Sequence, residues 1–396
     1  MATVLSAPSA AAGVDFSLSA EQELLVEQVR RFAEERIRPG VARRDREHRF
    51  PAEVIAEMAE LGLLGMLVEE AYGGAGADSL TYALAVEEVA RVCPSTAVTM
   101  SVTNSVCCWP ISRFGSDRLK RAALPGLAAG GQLGGFGLTE PGSGSDAGSL
   151  RTRAVRDGDS WVLSGEKAWI TNAGFASWYV VFASTDPPAG KRGLSAFVVP
   201  ADAPGFAVGE PEEKLGLRAS RTAPLVFADC RIPAGNLLGE EGQGFRIALA
   251  TLDHSRLGIA AQAVGIHRRA LELAVAYARD RVQFGAPIAE HQAIRFKLAQ
   301  MSTELAAARA LTYAAALVSD QPGQAERAGR LAAQAKLYAS EAANRACAES
   351  LQIHGGNGFH QDYEISRLYR DVRVTTIYEG TSEMQRLVIA RVLLRG

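Results

Sequence analysis

Long apolar runs are missing from this chain of 396 residues. None approaches the ~20 residues that cross a bilayer, which sets aside a helical membrane span. Charge of one sign is missing too: the formal net charge is −2, with 22% charged residues. No Lys/Arg block of the kind that tracks phosphates occurs, so nucleic acid is not an expected partner. Cysteine is scarce. Cys93, Cys107, Cys108, Cys230 and Cys347 are an odd number without framework spacing, so a reducing compartment is expected rather than a disulfide scaffold. Cys107 and Cys108 have neither His nor a basic cluster beside them to lower a thiol pKa, and they read as small apolar filling. The opening MATVLSAPSAAAGVDFS lacks a basic n-region, an apolar h-region and the Arg residues of a mitochondrial presequence. Residues 1–15 therefore read as a flexible tail and the protein as cytoplasmic. Also missing are an internal repeat, a GxGxxG fingerprint, a P-loop Lys and the strand–helix alternation of a doubly wound dinucleotide fold.

What is present is an apolar share of 47% in a chain long enough for two or three domains and an interior cavity. From Ser19 the pattern is helical: Ser19 and Gln22 fit a capping box, and Leu25, Val29, Phe32 and Ala33 fall on one face. A second helix is expected from Pro51, and TYALAVEEVARVC continues in the same style. Composition shifts at AAGGQLGGFGLTEPGSGSDAGS, residues 128–149. Short β-type runs follow: SWVLSG, KAWITN, WYVVFAS, LSAFVVP and APLVFADCRIP, which predict a small sheet or barrel. From Phe245 helices return, and Ile294, Leu298, Met301, Leu305 and Ala308 have the spacing of a bundle seam. An Ala-rich helix is expected to end at Gly355 and Gly356. The fold class is mainly α with a central β domain (α+β), divided at 16–130, 131–240 and 241–396.

Four stretches carry candidate chemistry, each with two readings. The loop GLTEPGSGSDAG, residues 137–148, offers backbone amides and the Thr139, Ser143 and Ser145 hydroxyls to a phosphate or flavin edge, or is a linker. KAWITNAG puts Trp169 and Thr171 two apart, hence on one side of a strand. That suits a flat heteroaromatic ring, or a core Trp. Asp253 and Arg256 share a helical face, as an ion pair or as ligand contacts. His354 and His360 flank GGNG without a carboxylate at metal spacing, so no metal site is expected. In TTIYEGTSEMQR, Glu379 follows Ile377 and Tyr378 and precedes Gly380. Either it is a salt-bridged structural acid, or it is a base kept dry by those neighbours.

Taken together these stretches resemble the acyl-CoA dehydrogenase family from about Leu18 to Arg395. LTEPGSGSD resembles one family signature, and QIHGGNGF with RDVRVTTIYEGTSEMQRLVIAR the other. MSVTNS, GLRASRTA, DCRIP, LDHSRLGIAAQAVG and RVQFGAPIAEHQ resemble its short-chain, butyryl-type branch. The resemblance implies a helical N-terminal domain, a small β-barrel or sheet domain and a C-terminal four-helix bundle, with non-covalent FAD. It implies that Phe136, Leu138, Thr139 and Ser145 line flavin and substrate, and that Trp169, Ile170 and Thr171 pack beside the isoalloxazine. Arg281, Gln283, Gln352, Gly355 and Gly356 would hold the ADP half of a neighbouring subunit's FAD, with Phe284, His291 and Gln292 nearby. Thr381 and Glu383 would complete the flavin contacts. Ser145, Asp253, Arg256, Glu379 and Gly380 would meet the acyl-CoA. Glu379 matches the family's base, which takes the α-proton while the β-hydrogen leaves as hydride to flavin N5, giving a trans-2-enoyl-CoA. The enolate oxygen would be held by the Glu379 N–H and a ribityl hydroxyl. The implied partners are an acyl-CoA, an electron-transfer flavoprotein and further copies of the chain in a tetramer. Relatives that carry the base before the Arg of LDHSR differ here, where that residue is Ser255. Glutaryl-type relatives carry an Arg within the stretch matching STAVTM, which has none. Trp109, Arg221 and His354 depart from the close relatives. The alternatives are a same-fold enzyme for a biosynthetic or carrier-bound thioester and a non-catalytic acyl-CoA-binding homologue.

Overall fold

The computed structural model of the chain describes residues 17–394, and the tail read over residues 1–15 lies outside them. Seven α-helices come first: α1 (Ala20–Phe32), α2 (Val41–Arg46), α3 (Ala52–Glu60), α4 (Ser79–Val92), α5 (Pro94–Ser101), α6 (Trp109–Phe114) and α7 (Asp117–Ala128). The expected capping box starts α1: the Gln22 N–H donates to Ser19 Oγ at 3.2 Å, and the Ser19 N–H to Gln22 Oε1 at 3.1 Å. A π-wound stretch, Val102–Cys108, carries α5 into α6.

One sheet follows, built from β1 (Leu133–Gly137), β2 (Arg153–Asp157), β3 (Ser160–Thr171), β4 (Ala176–Ser184), β5 (Leu194–Pro200), β6 (Phe206–Val208), β7 (Thr222–Pro233) and β8 (Leu237–Leu238). Its order is β6-β7-β3-β2-β4-β5-β8, with β1 parallel to β4. The barrel alternative is corrected to an open sheet. The end strands β6 and β8 are three and two residues long and do not pair with each other, and β2 joins β4 through one residue pair, Arg153 with Ser184. SWVLSG and KAWITN, expected as two strands, are one: β3 stays paired to β7 across two slips in register.

The last block holds α8 (Gly244–Asp280), a hairpin of β9 (Val282–Gln283) and β10 (Ala286–Pro287), α9 (Gln292–Ser319), α10 (Ala325–His354), α11 (Glu364–Val372) and α12 (Ser382–Leu393). The helices α8, α9 and α10 pack on one another, with α12 along α10. On the expected seam Met301, Leu305 and Ala308 are buried, and Ile294 and Leu298 pack against them. Small residues let α8 lie close to α4: a Cβ on Gly265 would fall 2.4 Å from the Glu87 carbonyl oxygen.

Few residues of α4 reach solvent, so its charges must be matched. Glu88 accepts from Arg30 of α1 at 2.8 Å and from Arg268 of α8 at 2.7 Å, and Glu87 from Arg309 of α9 at 2.5 Å. Burial pushes the Glu88 carboxyl up, and Arg30 and Arg268 outweigh it, holding it below its ordinary value. All five cysteines are buried free thiols. Burial pushes the Cys107 thiol up to about 12 and Cys108 well above its ordinary value, in keeping with filling. Among the described residues no helix is long and apolar enough to cross a membrane.

Candidate active site

Between α11 and α12 the chain makes one tight turn, Arg373–Thr376, and then reverses with Glu379 at φ +50 and Gly380 at φ +93. A left-handed Glu costs on the order of 1 kcal/mol, so the surroundings must hold it. The Gly380 carbonyl accepts from Lys336 Nζ at 2.7 Å and from Gln385 Nε2 at 2.8 Å, and Gln385 Nε2 also reaches the Glu379 carbonyl at 3.3 Å. Thr381 then caps α12 by accepting from the Met384 N–H. Gly380→Ala would place a Cβ 2.7 Å from Gln385 Nε2 at a φ that L-residues avoid. A loss of about 1–2 kcal/mol is expected, with turnover falling further than the melting temperature, because the clash strikes the group that holds Glu379. Thermal melts beside steady-state rates check this.

The Glu379 carboxyl faces Ser255 and Arg256 of α8 and Lys336 of α10, and Oε2 is sealed from solvent with no hydrogen-bond partner. Burial pushes its pKa up to about 7, against the Ser255 hydroxyl, Lys336 and Arg256, which pull it down. A salt-bridged structural Glu would titrate below its free value instead. The source of the dryness differs from expectation. Ile377 is 49% exposed and lines a surface hollow, while Tyr378 is half-buried with its OH on Gln262. The backbone reversal turns Ile377 away, and groups of α4, α8 and α10 join Tyr378 around the carboxyl. Asp253 and Arg256 do form an ion pair, and Arg256 is buried with its Nε unpartnered. The ion-pair reading of that pair holds, and the same Arg256 stands beside Glu379.

The Gly-rich loop and the end of β3 meet, as β1 delivers the loop next to that strand. The Ala168 N–H donates to the Thr139 carbonyl at 2.9 Å. Beneath the loop Lys167, with 0% exposure, donates to Glu140 Oε1 at 2.7 Å and to the Leu138 carbonyl at 3.3 Å. Glu140 also accepts from the Arg151 and Thr152 N–H groups at 2.6 and 3.0 Å. On the solvent side Trp169 is 60% exposed at φ +63, Thr171 half-buried and Ser145 exposed. An indole so open is not a core Trp. Buried Ile170 stands between Trp169 and Thr171, so the two keep the alternation expected of them although the pairing with β7 slips between Lys167 and Ile170. Ile170 and Leu138 are buried, which leaves mainly their backbone to meet a ligand. Phe136 and Tyr378 share one apolar cluster with Val98, Val102, Val106, Leu217 and Val374. The end of β1 that leads into the loop, α5 with the π-wound stretch after it, and the Glu379 turn thus wall one region.

Other predicted residues stand elsewhere. Arg281, Gln283, Phe284, His291, Gly355 and Gly356 line one cavity of about 500 Å³. Gln292 and Gln352 are exposed outside its wall. His354 lines it as well, stacked on Tyr277 with ring centroids 4.3 Å apart. Thr381 and Glu383 line a second hollow of about 420 Å³ with Arg345 and Arg373. From Arg256 to the end of α8 at Asp280 the axis runs roughly 36 Å, so the first cavity is remote from Glu379 within one chain.

Trp109 stacks on His254 with centroids 4.6 Å apart, and burial pushes His254 down to about 4, so the imidazole is neutral. Arg221 lies over the Phe175 ring at 6.0 Å. Sequence reasoning did not pick out Lys167, Glu140, Lys336 or Gln385. For Lys336 a signal existed: a single Lys in QAKLYAS, four residues after buried Ala332 and four before buried Ser340, sits on the packed face of a helix.

Three family profiles cover the chain: acyl-CoA dehydrogenase N-terminal domain over 19–131, middle domain over 135–230 and C-terminal domain over 242–394. The chain is 51% identical to the human mitochondrial short-chain specific acyl-CoA dehydrogenase over 94% of its own length and 90% of that protein. It superposes on the Megasphaera elsdenii butyryl-CoA dehydrogenase with a TM-score of 0.93 and 44% identity, covering 96% of this chain and 100% of that one. A structure described as an electron transferring flavoprotein of Acidaminococcus fermentans gives a TM-score of 0.94 and 43% identity, covering 96% and 100%.

Proposed function

Because the chain belongs to the acyl-CoA dehydrogenase family, FAD oxidoreductases acting on a CH–CH bond, we propose that it desaturates a short- or branched-chain acyl-CoA between Cα and Cβ with Glu379 as base. The observation that carries this is a carboxyl poised near 7, with an unpartnered buried oxygen. At that pKa it can take a proton at neutral pH and give it up after turnover. The α-carbon is a poor acid, so the thioester oxygen must be met as it gains charge. The Glu379 N–H, which donates to no carbonyl among the described residues, is the donor we assign to it. Exclusion of water strengthens both interactions.

The residues present fit FAD. An open indole at Trp169, the Thr171 hydroxyl and the pinned Gly-rich loop offer a flat platform with donors, beside the apolar wall that reaches Tyr378. When bound, FAD supplies the acceptor for the hydrogen leaving Cβ and hands the electrons to an electron-transfer flavoprotein. The cavity with Arg281 and Gln283 suits the ADP half, yet it lies too far along α8 to serve the same FAD as Glu379. We therefore read the enzyme as a homo-oligomer in which each copy lends that cavity to a neighbour's cofactor, a tetramer by its resemblance to the family. The Ser255 hydroxyl facing Glu379 supports the base assignment, since the position at which other relatives carry the base points at the same spot. Buried free thiols agree with a cytoplasmic site.

Anaerobic addition of butyryl-CoA or isobutyryl-CoA to the yellow holoenzyme is expected to bleach the flavin band. A holoenzyme that stays yellow through a whole panel of acyl-CoAs would remove the assignment.

A further inference from the structure

We propose that Lys336 is a positioning residue for the reaction: its buried ammonium clamps the Gly380 carbonyl, keeps Glu379 in its left-handed conformation and holds the carboxyl ready as an anion. This rests on Glu379 being the base. Lys336 lies mid-way along α10 with 0% exposure, among buried Ala332, Ala333, Ala339 and Ser340. A Met would pack there without the several kcal/mol that burying an ammonium costs. The charge must therefore be offset by something it alone supplies.

The hydrogen bond to Gly380, at 2.7 Å, is not sufficient reason, because Gln385 already donates to the same oxygen at 2.8 Å. What the neutral Gln385 cannot supply is a positive charge beside Glu379. The charged groups facing Lys336 are Glu379 from the turn, Arg256 from α8, Glu341 from α10 itself and Glu383 from α12. Burial pulls Lys336 down to about 8, and Glu379 is the strongest influence holding it up. Around Glu379 stand Ser255, Arg256 and two phenols, Tyr82 and Tyr378, kept neutral by burial. The cations at hand are thus Arg256, already engaged by Asp253, and Lys336.

The test uses Lys336→Met and Lys336→Gln holoenzymes. Gln can still donate to Gly380 but carries no charge, so it isolates the electrostatic part and keeps the test valid if the Met variant does not fold. Two readouts are taken: the acid limb of kcat/KM against pH, and an infrared titration of the Glu379 carboxyl with Glu379→Gln as blank. Loss of a nearby opposite charge should move both upward by about one pH unit. On the acid limb that is about a tenfold fall in kcat/KM, recovered at high pH in the Gln variant. A folded variant whose acid limb and infrared titration stay at the wild-type position overturns the proposal. Retained activity in Glu379→Gln would instead overturn the base assignment, so the two failures are distinct.

Discussion

Glu379→Gln is expected to remain a yellow, FAD-bound protein whose flavin is reduced by acyl-CoA about 10⁴-fold more slowly. The amide preserves volume and the backbone N–H but cannot accept the α-proton. Stopped-flow bleaching under anaerobic conditions measures this, and a wild-type rate would dismiss Glu379 as the base. The same variant should be more stable at alkaline pH. Folded Glu379 keeps its proton to about 7 whereas the free carboxyl loses it near 4.5. Between those values the native state binds the extra proton, so raising the pH through this window lowers stability, by up to about 3 kcal/mol above it. Gln carries no such penalty. Its melting temperature should exceed wild type at pH 8 and approach it near pH 4.5. Stability of this kind, gained by disarming the site, is expected where function demands a misplaced charge.

Lys167→Met should be the most damaging change outside the reacting groups. It strands Glu140, 6% exposed, with two backbone donors and no counter-charge. Breaking a buried pair from one side costs about 3–5 kcal/mol. The damage falls on the loop carrying Leu138 and Thr139, so FAD retention should drop together with thermal stability. Adding Glu140→Gln should restore part of both, since no charge is then left buried while an acceptor remains for the Thr152 N–H. Melting curves and flavin content after gel filtration report the two effects. If the single variant melts like wild type and keeps its flavin, the pin has been misjudged.

The helices and the order of blocks were legible because the signals are local. Ser19 with Gln22 announces a start, the Met301, Leu305 and Ala308 spacing announces a seam, and Gly355 announces an end. The site was legible only in part. Glu379 could be picked out as an apolar-flanked acid, but the reason for its dryness could not, since the covering groups Ser255 and Lys336 lie far off in sequence and the left-handed turn hides which neighbours matter. The left-handed backbone at Trp169 and the slip of register against β7 were hidden for a related reason: neither has a mark in KAWITN itself. Glu140 and Lys167 are 27 residues apart, and nothing local tells a buried pair from two surface charges.

The charges buried on α4 bear on how the chain is made. Glu87 and Glu88 come off a ribosome about 180 residues before their partner Arg268, a delay of roughly ten to forty seconds at ordinary translation speeds. Through that interval Arg30 can already meet Glu88, while Glu87 stays an unmatched anion on a face that must later be dry. The nascent amino-terminal half therefore has to wait, loosely packed, for the carboxy-terminal half to emerge.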